Sequence, residues 1–171
     1  MPREKKATYL GTILSDTIDN KVEVAKRLAE ATATANKLKI FWNKASNPAW
    51  WKIRAYDAII RSKLLYGLEC IQLTEAEIHE LDAYQIKGLR RILHIPPTHI
   101  DRTWTNDKVI EKASVEIGKP IINFAETWKQ TKFKTLGHVM RASPEDPLHQ
   151  VCFQSAEKTP QNFSTEKSRT P

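Results

Sequence analysis

Apolar residues recurring every third or fourth position, in runs cut by proline and glycine, constrain this chain more than any other feature of it. That period lines side chains along one stripe of an α-helix, where they can be buried together. The first run opens at Asp19 or Asn20, either able to cap a helix, and reaches about Lys44 through Val22, Ala25, Leu28, Ala29, Thr32, Ala35, Leu38 and Trp42. Asn47-Pro48, read as an N-cap followed by proline at the first helical position, opens a second run with Ile53, Tyr56, Ile60 and Leu64 on its stripe. Gly67 stands where a left-handed residue would end that helix.

Thr74-Glu75-Ala76-Glu77 has the form of a capping box, and the helix it opens turns Ile78, Leu81, Leu89 and Ile92 inward. Its early acids (Glu75, Glu77, Glu80, Asp82) and late bases (Lys87, Arg90, Arg91) suit the helix dipole, and Pro96-Pro97 forbids continuation. A fourth helix is expected from Asn106 to about Ile117, with Val109, Ile110 and Ala113 inward. Gly118 and Pro120 separate it from a fifth, about Ile121 to Arg141, whose stripe is Ile122, Ala125, Trp128, Leu136 and Val139 or Met140, with Pro144 and Pro147 beyond. One stretch breaks the pattern. Ala7 to Leu14 is short, β-branched and aromatic, and reads as a single strand that either finds its partners outside the chain, as at a truncated N-terminus, or stays frayed. From residue 154 onward, polar residues and proline point to a disordered tail. The expected fold is mainly α, a bundle of about five helices with one short N-terminal strand.

A length of 171 residues fits one domain, and 40% hydrophobic residues suffice for a core. The net charge of +7 points to a polyanion partner. The surplus is concentrated: residues 1–70 hold 13 Lys and Arg against 7 Asp and Glu, whereas residues 71–153 hold 11 of each. Met-Pro-Arg-Glu-Lys-Lys lacks the apolar region of a signal peptide, and no apolar run approaches a membrane span, so a soluble intracellular protein is expected. Cys70 and Cys152 are read as reduced, half-buried thiols.

Catalytic signals are missing from the sequence. Phosphoryl transfer on metal ions normally uses clustered carboxylates, and neither an Asp-Asp pair nor an Asp-x-Asp occurs. Glu145-Asp146 reads as a solvated turn, and His79, His94, His99, His138 and His149 form no metal-ligand spacing with cysteine. Binding signals are stronger. Lys26, Arg27, Lys37 and Lys39 on the first helix, Arg54, Arg61 and Lys63 on the second, and Arg90 and Arg91 on the third are the expected phosphate contacts. Lys129, Lys132 and Lys134 add to them on the last helix. Trp42, Trp50, Trp51, Trp104 and Trp128 lie among these charges, and bases beside aromatics suit single strands or hybrid backbones. Trp50 and Trp51 cannot both face one core, and Trp50 is assigned to the binding surface.

Four strings go beyond pattern. Tyr9-Leu10-Gly11 followed by isoleucine and Ser-Asp, Leu65-Tyr66-Gly67-Leu68-Glu69, Leu81-Asp82-Ala83-Tyr84-Gln85 with Leu89-Arg90-Arg91-Ile92-Leu93, and Leu136-Gly137-His138-Val139-Met140-Arg141 stand in this order. Together they resemble the region C-terminal to the catalytic palm of non-LTR (LINE-type) retrotransposon reverse transcriptases. The resemblance implies a palm remnant on the primer-grip side in 1–16, a thumb in 17–95, connector helices in 96–153 and the tail in 154–171. It implies contact with an RNA/DNA primer–template, palm and fingers as partners, and a nuclear or cytoplasmic ribonucleoprotein as the setting. The family's catalytic Tyr/Phe-Ala-Asp-Asp motif has no counterpart here, nor has its Cys/His knuckle. The chain is thus expected to be a fragment, inactive alone and without a cofactor, although the intact polymerase would use Mg²⁺. In LGHVMR, Gly137 argues for close helix packing and His138 for a packed or hydrogen-bonded side chain. A helical protein-interaction module, or a retrotransposon relic without a role, would carry the same residues.

Overall fold

The computed structural model describes residues 6–9, 12–15 and 20–152. Packing divides the chain into two compact units, Met1–Lys129 and Gln130–Pro171. Mainly helical architecture holds throughout the described residues. At the N-terminus, however, the single strand is not what forms. Two strands, β1 (Lys6–Tyr9) and β2 (Thr12–Ser15), pair antiparallel with Lys6 opposite Ser15 and Tyr9 opposite Thr12. Two residues separate them, the spacing of the commonest hairpins, so the pairing partner lies within the chain. Leu10, Gly11, the capping role of Asp19 and the 154–171 tail lie outside the described residues.

The first expected helix is two. α1 spans Asn20–Lys37 and α2 spans Lys39–Lys44, with Leu38 leaving helical geometry between them. Trp42 reaches back across this break, its indole N–H donating to the Ala35 carbonyl at 2.9 Å, the kind of partner a helix-end carbonyl needs. The buried stripe of α1 is also rotated from the expected one. Ala25, Ala29 and Thr32 are exposed, and Glu23, Val24, Arg27, Ala31 and Ala35 are buried. A Glu–Arg pair one turn apart looks like a solvated face in sequence, yet here it is covered.

α3 spans Ala49–Tyr56, a π-helical turn continues it through Asp57–Arg61, and α4 is Ser62–Leu65. Pro48 occupies the N-cap position and Asn47 makes no cap, so this helix starts one residue later than read. Gly67 does adopt left-handed geometry (φ 77°), ending the helix ahead of a 3₁₀ turn at Leu68–Cys70. α5 (Glu75–Leu93) begins with the full Thr74–Glu77 capping box and ends at His94, a non-glycine residue at φ 55°. The Ile95 amide closes that end on the Arg90 carbonyl at 2.9 Å, before the prolines intervene. α6 (Asn106–Ile117) is capped by the Thr105 hydroxyl and packs on α3 and α5, the helices expected to form the thumb.

α7 is Phe124–Arg141, not Ile121–Arg141. Its first amides are capped from α5: Phe124 N–H donates to Gln85 Oε1 at 3.0 Å and Ala125 N–H to Asp82 Oδ1 at 2.9 Å. Ile122 is consequently exposed and Phe124 takes the core place, while Met140 is exposed and Val139 buried. The core of the first unit gathers Val24, Trp42, Ile60, Leu64, Leu68, Leu81, Leu89, Val109 and Phe124. Aromatic rings run through it, Phe41 edge-on to Trp42 and Trp51, Trp42 edge-on to Tyr56, and Tyr56 parallel to Phe124 at 6.3 Å. In the second unit, a turn at Ser143–Asp146 precedes α8 (Pro147–Cys152), and the buried His149 ring places Nδ1 3.0 Å from the Val139 carbonyl.

Candidate nucleic-acid interface

Two of the expected phosphate contacts are structural instead. Arg27 is 4% exposed, bound to Glu23 at 2.7 Å and set over the Tyr66 ring at 5.1 Å. Arg90 is 8% exposed and holds the 96–106 loop, donating to the Pro96 and Trp104 carbonyls at 2.7 Å each and to Asn106 Oδ1 at 3.2 Å. Charge-assisted bonds of this kind leave neither guanidinium to a ligand. Both are corrections to the sequence reading. The physical reason is that arginine's fork can close a loop or span a helix groove as readily as it grips phosphate.

Two of the four family-like strings turn out to be latches. In the Leu65–Glu69 string, Tyr66 stacks under Arg27, Gly67 makes the left-handed turn, and the buried Leu68 offers its carbonyl to Trp128 Nε1 at 2.7 Å. In the Leu81–Gln85 string, Leu81 is fully buried, while Asp82 and Gln85 cap α7 and Gln85 Nε2 also donates to the Ile122 carbonyl. Within the second unit, Leu136 is half-buried and His138 is exposed, so of the packed or hydrogen-bonded side chain expected there the packed form does not occur. The nearest neighbour of a Cβ on Gly137 would be the guanidinium of Arg141 on the same helix, at 3.2 Å. Burial also lowers the Lys132 ammonium's pKa.

What remains at the surface is narrower than the predicted set. Lys37, Lys39, Arg54, Lys63 and Arg91 are exposed, and Lys26 and Arg61 are half-buried. Arg61 shares its charge with Asp57 at 3.0 Å, both partly exposed. Trp50 and Trp51 are 40% and 44% exposed, so neither faces the core outright. The Arg54 guanidinium sits over the Trp50 ring at 5.4 Å, a cation–π pair with one partner facing outward.

Arg54 also lines a cleft of about 420 Å³ whose wall is the π-helical turn. Ile53, Leu89, Ile117, Ile121 and Ile122 supply its apolar lining, and Arg61 and Lys119 stand around it with Arg54. Lys119 was missed in the sequence because it lies alone between Gly118 and Pro120, outside any basic run. A second, more open depression carries Lys87 and Arg91 over Ala83 and Ile86. Lys52 was missed too: it is buried, with its ammonium donating to the Trp42 carbonyl at 3.2 Å, and so belongs to the scaffold.

Two groups of the first unit, Tyr56 and Cys70, have their neutral forms favoured. Burial, reinforced by Tyr84, pushes the Tyr56 phenol far above the ordinary tyrosine range, so it stays a neutral donor to the Tyr84 carbonyl at 3.2 Å. Cys70 is exposed rather than half-buried; partial desolvation and then Glu69 raise its thiol pKa, which keeps it protonated and slow to react. Among the described residues no three His, Cys, Asp or Glu stand together as metal ligands, and no helix is long and apolar enough to cross a membrane. Comparison with protein-family models, curated proteins and solved structures finds no match to this chain.

Proposed function

We propose that this chain is a thumb and connector portion of a LINE-type reverse transcriptase and grips the sugar–phosphate backbone of an RNA/DNA primer–template. The observation that carries the reading is the set of surface cations on and beside α3, with Arg54 stacked on the exposed Trp50 and Arg54, Arg61 and Lys119 around one cleft. A thumb holds backbone rather than bases, and phosphates are met by arginine and lysine on rigid helices. The four strings, in family order, supply the ancestry. Chemistry would belong to a palm carrying Mg²⁺, and no step is assigned to the residues of this chain. Palm and fingers are the partners, and a nuclear or cytoplasmic ribonucleoprotein is the setting.

The test is binding of a labelled RNA/DNA hybrid at ~50 and ~200 mM salt, where phosphate contacts lose affinity as counterions return. Affinity should fall at least about tenfold across that range. No binding at either salt would sink the proposal. A protein-docking module is the second reading, and Ile40, Trp51 and Ile59, all exposed, favour it. Apolar docking would keep its strength as salt rises, so the same titration separates the two.

A further inference from the structure

We propose that the cleft lined by Ile117, Ile121 and Ile122 receives an unpaired nucleobase of the bound strand, with the flanking phosphates held by Arg54, Arg61 and Lys119. This rests on the backbone-gripping reading and adds to it a single-stranded element in the ligand. The cleft's volume of about 420 Å³ lies in the range of pockets that enclose small aromatic ligands, and a base with its sugar fits that scale. Ile117, Ile121 and Ile122 give the lining its accessible apolar side chains, against which a base can pack, while Ile53 and Leu89 are buried and charged and polar side chains share the rest. Its surround is cationic, with Arg54, Arg61 and Lys119 against the single carboxylate of Asp57, which is paired to Arg61.

Specificity for one base is not built in. Gln85 is the neutral amide of the lining, and both ends of it are already engaged, Nε2 with the Ile122 carbonyl and Oε1 with the Phe124 amide. The pocket therefore reads the presence of a free base rather than its identity. A paired base cannot enter, because it would first have to leave its stack, whereas one in an overhang is already free. Outside the cleft, Trp50 next to Arg54 offers a platform for the neighbouring base. The π-helical turn that forms the wall is the kind of helix irregularity that recurs at functional sites.

The experiment compares a blunt RNA/DNA hybrid with one bearing a short single-stranded extension that carries 2-aminopurine. The extended hybrid should bind about tenfold tighter, the scale of one stacked base, and the 2-aminopurine emission should change on binding. Ile122→Gln, which replaces an exposed apolar lining side chain with a polar one that cannot stack, should reduce that preference and leave the melting temperature intact. Arg54→Gln should weaken both ligands. Equal binding of the two hybrids, or a preference unchanged by Ile122→Gln, would overturn the base pocket while salt-sensitive binding of the blunt hybrid kept the backbone reading. Loss of binding to both hybrids in the unmodified protein would overturn both.

Discussion

Gly88 sits in the middle of α5, where glycine costs roughly 1 kcal/mol against alanine, and nothing in its sequence neighbourhood marks it as needed. The structure supplies the reason: a Cβ there would overlap the Tyr56 phenol ring, which crosses the α5 backbone at that residue to reach the Tyr84 carbonyl. The ring is buried and stacked on Phe124, so it cannot swing aside as a lysine tip could. Steric overlap of this kind costs about 1–3 kcal/mol, which outweighs the propensity gained. Gly88→Ala is therefore expected to lower stability in urea unfolding by about 1–2 kcal/mol. In a Tyr56→Ala background the same change should become neutral or stabilising, because only propensity is left. A destabilisation that persists without the ring would show that the close approach is not the cause.

Elements were legible to the extent that their signals were local. The capping box at Thr74, the left-handed Gly67 and the period of α5 and α6 are all local, since each needs only neighbours within a few residues. The start of α7 is not local. Its first two amides find acceptors on Asp82 and Gln85, some forty residues earlier, and no pattern around Ile121 could have announced that. The rotated stripe of α1 has the same origin, because Arg27 is buried by a partner on the distant Tyr66 turn as much as by Glu23. The candidate site divides in the same way. Arg54 and Trp50 could be paired from their four-residue spacing, but Lys119 and the cleft arise only when α3, α5 and the 118–122 segment meet. Gln85→Ala should leave two backbone groups without their partner, costing about 1–3 kcal/mol, and Asp82→Ala should cost somewhat less because that carboxylate is only half-buried. Hydrogen exchange gives the sharper readout: protection should fall at Phe124 in the first variant and at Ala125 in the second. Protection lost equally along all of α5 would instead mean that the variant unfolds the unit as a whole.

At the scale of the molecule, a net charge of +7 conceals two populations of basic residue. Arg27, Lys52 and Arg90 are buried and bonded within the fold, so they add to the charge without adding to a binding surface. Lys37, Lys39, Arg54, Lys63 and Arg91 are exposed, and their loss removes no buried partner. The two groups should therefore fail in opposite ways. Arg90→Gln leaves the Pro96 and Trp104 carbonyls short of donors and should lower stability by about 2–4 kcal/mol, lowering the melting temperature by several degrees. Arg54→Gln and Arg91→Gln should leave the melting temperature within a degree or so, since surface changes of this kind stay within about 0.5 kcal/mol. In the hybrid titration, each should instead reduce the slope of log affinity against log salt by about one phosphate contact. The comparison is decisive because stability and affinity are measured on the same variants. An unchanged slope in Arg54→Gln and Arg91→Gln together would remove the exposed cations from any phosphate-binding role and leave the apolar side chains on α2 and α3 as the surface that matters.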